Sequence, residues 1–327
     1  MVRKTQSFCA FLLAFSTACA AQEIIDPEVA KENPDFHVQG EYLGEGTLLD
    51  GEQDKVGAQV VAMDNGAFHV VVYKGGLPGA GWQRDEPTFT MEGKTEDEVT
   101  KLSGRNLSGT IRDGAMVITD PEGAERIRLT RTERKSPALG AKPPEGALVL
   151  FDGTDADLWD GTHVTELGTL HAGARLKEPI GPNGLKLHVE FRNSWMPQAR
   201  GQGRSNSGVY VDGRYEVQVL DSFGMEGTHA ECGGIYSMRA PDVHMCYPPL
   251  VWQTYEIDFT PAKYDEAGNK TANARLTVRH NGVLIHDDFE LSGPTPGGRP
   301  EGPGPDRLYL QRHGNRVQYQ NVWAVEK

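Results

Sequence analysis

From residue 36 onward, apolar and polar residues alternate in short runs broken by Gly, Pro, Asn and Asp, the two-residue period of half-buried strands. FHVQGEYLG, AQVVAMDNGAFHVVVYKG, KLSGRNLSGTIRDGAMVITD and ERIRLTRTER, all between residues 36 and 134, read as strands. Asp64-Asn65-Gly66 and Arg112-Asp113-Gly114 supply the positive-φ residues that tight hairpins need. Ahead of them, Pro27 to Asn33 suits one short helical turn, and helix signals are scarce thereafter. Residues 22–135 thus make a small accessory β-domain. Its stretch VVVYKGGLPGAGW (70–82) has the Gly and Pro of an exposed loop and no catalytic cluster. SPALGAKPPEGA (136–147) reads as a linker. Residues 148–327 return to short strands at regular spacing, the pattern of a two-sheet sandwich. The expected fold is all-β throughout.

One hairpin, SNSGVYVDGRYEVQVLDSFG (205–224), carries unusually many polar groups on one side. A two-residue turn at Asp212-Gly213 would set Val211 opposite Arg214, Val209 opposite Glu216 and Ser207 opposite Gln218. Tyr210, Tyr215, Val217 and Val219 would then face the core. Glu216, Gln218 and Ser207 would share a face, with Asp221 at its rim. Asn206 would join them only if the NSG segment bulges, which Gly208 permits.

With 38% hydrophobic residues, 39 Gly and 20 Pro, the chain has the composition of a turn-rich β-protein. Residues 1–21 have a basic start (Arg3, Lys4), an apolar stretch and small residues near Ala20 and Ala21, which reads as a signal peptide and predicts export to a periplasmic, extracellular or cell-surface location. The apolar stretch is short for a membrane span. A lipoprotein reading centred on Cys19 is the weaker one, since Ser16 stands three residues before it. No later segment is apolar and long enough to be transmembrane. A net charge of −13, without a local basic tract, argues against nucleic acid as a partner. Beyond the leader only Cys232 and Cys246 remain, either as a disulfide closing CGGIYSMRAPDVHMC or as two buried free thiols.

FDGTDADLW, LHVEFR, NSGVYVDGRYEVQVLDS, CGGIYS, PPLVWQTYEIDF, HNGVLIHD and LQRHGNRVQYQNVW occur in an order that resembles the 3-keto-disaccharide hydrolase domain family over residues 148–327. The resemblance implies a concanavalin/laminin-G-like jelly-roll sandwich that cleaves glycosides whose sugar is oxidised at C3. A ketone there acidifies the C2 hydrogen, so a base can form an enediolate, which expels the aglycone from C1 before water adds. Such a site needs a base working near neutral pH, a stabiliser for the enolate oxygen and an acid at the leaving oxygen. Ordinary glycosidases instead set two carboxylates around an oxocarbenium-like centre. A sugar 3-oxidoreductase would be the functional partner that supplies the ketone. The rival reading is a lectin-like carbohydrate-binding module on the same scaffold.

The resemblance places the E-x-Q-x-x-D run at Glu216, Gln218 and Asp221 in the site. It likewise places His313 and Gln311 there, from the closing LQRHG motif. His313 and Glu216 are the candidate bases, imidazole because its pKa falls where the base must work. Asp221, Gln218 and Arg239 would orient hydroxyls or stabilise charge. Glu190 and Arg192 share one face of LHVEFR, either as an exposed ion pair or beside Glu216. Tyr236 and Trp252 could stack on a sugar ring or pack in the core. No metal-binding spacing is present, the acidic HDDFE run (286–290) included, although carboxylates and His313 from separate strands leave room for a divalent ion. No phosphate loop and no G-x-S-x-G elbow occur, which removes nucleotide-dependent chemistry and serine hydrolysis.

Overall fold

A computed structural model describes residues 23–48 and 51–327; the leader expected at residues 1–21 lies outside them. Two short helices, Pro27–Ala30 and Pro34–Val38, open the described chain. Each begins with proline behind a capping side chain, Asp26 and Asn33, whose oxygen accepts a backbone N–H of the first turn. The second helix takes Phe36 to Val38 out of the strand expected there, so pairing starts at Gly40.

The accessory domain is a closed barrel of eight antiparallel strands. Chain neighbours pair in turn, and Gly40–Thr47 completes the circle by pairing with both Gln53–Ala62 and Glu125–Thr132. Tyr42, Val60, Phe68, Val70, Met91, Met116, Ile118 and Leu129 are among the buried side chains that fill it. An eight-stranded barrel has an interior just wide enough for such filling. Arg112 pairs with Ala115, so Asp113-Gly114 forms the expected two-residue turn, both residues at positive φ.

Residues 148–327 form two stacked antiparallel sheets. One holds Leu148–Phe151, Gln318–Glu326, Leu185–Arg192, Gln253–Thr260, Ala274–His280 and Val283–Leu291 in that spatial order, with Leu170–His171 added beside Gln318–Glu326. The smaller holds Trp159–Asp160, Arg175–Leu176, Tyr309–Leu310, Asn206–Val211 and Tyr215–Leu220. Val189, Phe191, Tyr255, Ile257 and Tyr319 from the first meet Val209, Tyr215, Val217, Val219 and Leu310 from the second in one hydrophobic core. Among the described residues no helix is long and apolar enough to cross a membrane.

The segment 136–147 is stitched down for much of its length. Ser136 Oγ bonds Thr254 Oγ1 at 2.6 Å, Gly140 N–H donates to Glu190 at 2.6 Å, and Ala141 C=O accepts from Asn321 and Trp323. Gly79, at φ +69°, lets the barrel's long loop approach the sandwich: a Cβ there would lie 2.2 Å from Met245 Sδ. Arg84, on the same loop, donates to the carbonyls of Gly227, Pro241 and Asp242.

Candidate active site on the smaller sheet

Glu216 lies at the floor of the outward face of the smaller sheet. It is 2% exposed, and Tyr210 Oη donates to its Oε2 at 2.7 Å. Burial raises its pKa to about 7, against the lowering effect of the Tyr210 hydrogen bond. Gly208 makes the space for this carboxyl: a Cβ on it would stand 2.0 Å from Glu216 Oε1. Pro296 C=O, 2.8 Å from Tyr210 Oη, shares the one phenolic proton, and Tyr210 accepts from Gln311 Nε2 at 3.3 Å. Burial and the adjacent Glu216 carboxyl push the Tyr210 phenol well above its ordinary value.

Beside Glu216 on the same face, Gln202 Oε1 accepts from both Asn206 Nδ2 and Gln218 Nε2. Tyr236 donates its backbone N–H to Glu216 C=O, so residues 233–236 extend the sheet along this edge. Gln202, Tyr236, Tyr309 and Gln311 are half-buried around a floor of buried Asn206, Tyr210, Glu216 and Gln218. Asn206 Oδ1 and Gln311 Oε1 are buried acceptors with no protein donor. Such atoms cost free energy unless a ligand or ordered water completes them.

The hairpin differs from its expected register by one residue. Val211 pairs with Tyr215, Tyr210 with Glu216 and Gly208 with Gln218, around a three-residue loop of Asp212, Gly213 and Arg214. Tertiary contacts hold the third residue in the turn. Arg214 donates to Asp212, Pro300 C=O and Gly304 C=O, and Asp212 accepts the Asp306 N–H. The slip exchanges which residues of the first strand meet the polar face. Asn206 joins it without a bulge. Tyr210 moves from the expected core face to the carboxylate. Ser207 turns inward, where its Oγ bonds Gln311 C=O and Tyr319 Oη.

The remaining candidates fall elsewhere. Asp221 forms a buried ion pair with Arg204 at 2.7 Å, and Arg204 reaches Ala62 C=O of the barrel, so the pair braces the junction. Glu190 is on the larger sheet, fully buried, accepting from Gly140, Gln320, Asn321 and His188. Desolvation works to raise its pKa, but these donors outweigh it and the net shift is down. Its task is to hold the linker. Arg192 stacks over Trp252 at 4.7 Å and bonds Gln318 and Ile25 C=O, again on the larger sheet. Arg239 pairs with Asp242 and covers Phe289. Alternation specifies a strand's face but not its sheet, which is why these expectations missed.

His313 is exposed in the loop between Tyr309–Leu310 and Gln318–Glu326 and makes no contact with Glu216. The loop borders the site through Gln311 and through Asn315, whose Oδ1 accepts the Asn206 N–H at 3.0 Å. Cys232 and Cys246 are free thiols, both fully buried, and burial pushes the Cys246 thiol up. Among the described residues no three His, Cys, Asp or Glu side chains gather as a metal site. The neighbours of Glu216 on this face are phenols and amides rather than further carboxylates or imidazoles. Tyr210 and Gln202 were missed. Reading DGR as a three-residue hairpin loop with Gly at a positive-φ position would have placed Tyr210 opposite Glu216.

A two-sheet sandwich with a carboxyl titrating near neutrality among phenols and amides defines a β-fold equipped for proton transfer. The model of the 3-keto-alpha-glucoside-1,2-lyase-like domain matches residues 146–325, and the chain belongs to that family. Membership supports a glycoside-acting, hydrolase-like enzyme with a saccharide substrate. No curated protein matches the chain. A solved structure of a candidate glycosyl hydrolase from Parabacteroides distasonis is 27% identical, with a TM-score of 0.49, covering 56% of this chain and 85% of that one. A second candidate glycosyl hydrolase of the same organism is 18% identical, with a TM-score of 0.38, covering 56% of this chain and 95% of that one.

Proposed function

We propose that the carboxy-terminal sandwich cleaves 3-keto-glycosides by elimination across C1–C2 followed by hydration, with Glu216 as the base. The observation that carries this reading is the buried carboxyl over Gly208, bonded to Tyr210, with its pKa raised to about 7. A base poised near the working pH combines a populated anionic form with useful basicity. The family's 1,2-lyase description agrees with the bond involved.

Glu216 takes the C2 proton, and the C–H electron pair becomes the C2=C3 bond of an enediolate with its charge on the C3 oxygen. Collapse restores the C3 ketone, forms C1=C2 and breaks the C1–O bond, and the departing oxygen takes a proton. Water then adds its oxygen at C1 and its hydrogen at C2, returning a 3-keto sugar. Tyr210 holds the Glu216 carboxyl in place, and Tyr236 and Gln311 border the position of the enolate oxygen. The open acceptors of Asn206 and Gln311 suit sugar hydroxyls. The leaving oxygen takes its proton from water at the open side of this face. An oxidoreductase acting at C3 must supply the substrate, and the leader at residues 1–21 would put the reaction outside the cytoplasm.

Incubation with a 3-keto-disaccharide should release reducing sugar, and product formed in D2O should carry deuterium at C2. Glu216→Gln should lower the rate by ~10²-fold or more. The wild-type rate should rise with pH through about 7 as Glu216 ionises. A Glu216→Gln variant at full rate sinks the mechanism, and sugar binding without turnover would make the sandwich a carbohydrate-binding module.

A further inference from the structure

Two adjoining cavities of about 570 and 420 Å³ lie where the barrel wall meets the sandwich, sharing His69, Gly224, Met225 and Glu231 in their linings. Together they have the size of a small-molecule cleft. The barrel side contributes Val71, Tyr73 and Trp82, and the sandwich side Phe223 and Met225. Trp82 meets Tyr73 edge-on at 5.3 Å and donates its indole N–H to Glu86 C=O at 3.2 Å, so its ring is held while remaining half-exposed. Met225 is 51% exposed, among the most exposed large apolar side chains described. Arg84, the cation bordering this cleft from the barrel's loop, is occupied by three backbone carbonyls of the sandwich.

The cleft begins one side chain from the reacting face. Gln202 and Ala230 line it, and the same two residues bond Gln218: Gln202 Oε1 and Ala230 C=O both accept from Gln218 Nε2. A glycoside with its oxidised ring over Glu216 would therefore have a channel for its other half along the barrel. Polar side chains also line this wall, but several are already engaged within the protein: Arg204 with Asp221, Arg200 with the carbonyls of Met63, Pro197 and Ala199, Ser222 with His244, and Glu231 with the Gly227 and Thr228 N–H groups. The Met225 thioether and the fixed indole of Trp82 are left as open apolar surface, which suits a flat ring.

We propose that the barrel–sandwich cleft is the aglycone subsite, that it takes an aromatic aglycone against Trp82 and Met225, and that the accessory barrel is thereby a specificity element of the enzyme. The inference rests on the proposed reaction for the ring's placement over Glu216. It gives a purpose to the Gly/Pro-rich loop 75–82, which projects Trp82 and docks on the sandwich through Gly79.

The test uses the full chain and phenyl glucoside, which lacks the ketone and reports binding by calorimetry without turnover. Wild type should bind it, Trp82→Ala should weaken binding by ~10-fold or more, and Trp82→Phe should recover most of the loss, which separates a lost ring from a lost fold. With 3-keto phenyl glucoside, Trp82→Ala should raise KM by a similar factor and change kcat less than about twofold; with 3-keto methyl glucoside neither should move. Failure of wild type to bind phenyl glucoside, or equal effects on the phenyl and methyl substrates, overturns the inference. A disaccharide bound in a Trp82-dependent way while phenyl glucoside is refused also overturns it, in favour of a second sugar. Trp82-dependent binding of phenyl glucoside without turnover of any ketone would leave the subsite standing and remove the reaction.

Discussion

Tyr210 and Glu216 share one hydrogen bond, and its sign can be read in solution. Desolvation raises the Glu216 pKa, while the phenol's hydrogen bond stabilises the anion and holds the value down to about 7. Tyr210→Phe removes only the second effect. The alkaline-rising limb of kcat/KM should therefore move to higher pH, and activity at pH 7 should fall while activity at pH 9 falls less. A profile that scales down without moving would mean that the phenol does not touch the reacting carboxylate. At this scale the sequence was partly readable. Glu216 and Gln218 stood out as polar residues on one strand face and Gln311 came from the family resemblance, and the structure brings all three to one side of the smaller sheet. Glu190, with the same alternation, is walled in by a linker whose path no local pattern announces.

Two Asp-Gly hairpins differ in what surrounds their turns. Asp113-Gly114 behaves as its sequence predicts because the barrel leaves its tip in solvent. At Asp212-Gly213 the segment 295–306 packs over the tip: its carbonyls draw Arg214 into the loop, and the Asp306 amide bonds Asp212. Two-residue and three-residue hairpin loops are both common, so tertiary partners decided the register, and with it the composition of the site. The larger sheet gives a control for function at this level. Glu190 accepts four hydrogen bonds out of contact with solvent, and Glu190→Ala would leave buried donors unpaired. That should cost about 3 kcal/mol in denaturant unfolding while kcat on a 3-keto-disaccharide stays within about twofold. A large loss of kcat with unchanged stability would instead bring Glu190 back to the site.

For the whole molecule, acid is the weak direction. Burial lowers the pKa of His244 and of His286 to about 4, so both imidazoles are neutral in the native state. The unfolded chain takes up protons below about 6.5 that these two sites refuse until about 4. Their contribution is complete above about pH 6.5 and is lost as pH falls through that window, at ~1.4 kcal/mol per pH unit for each histidine. Glu216 acts in the opposite sense, since its raised pKa favours the folded state at low pH and that contribution fades between about 4.5 and about 7. His280, whose pKa burial lowers well below its ordinary value, adds to the two, so the buried imidazoles outweigh Glu216 and the urea midpoint should rise with pH between 5 and 6.5. A falling midpoint there would contradict the burial of these imidazoles. The all-β class and the two β-domains were legible from period-two patterning and turn chemistry, whereas the closure of the first into a barrel was not. Closure depends on one strand pairing with both its neighbour and the last strand of the domain, a long-range choice that local propensity does not encode.

The anchored path of residues 136–141 has a practical outcome for proteolysis. Glu145 is exposed, and a glutamate-specific protease that severs the backbone after it cuts beyond the anchors at Ser136, Gly140 and Ala141. The two fragments should stay together through gel filtration and separate only in denaturant. If they part in plain buffer, the covalent tether was supplying the cohesion credited here to Glu190, Asn321 and Trp323.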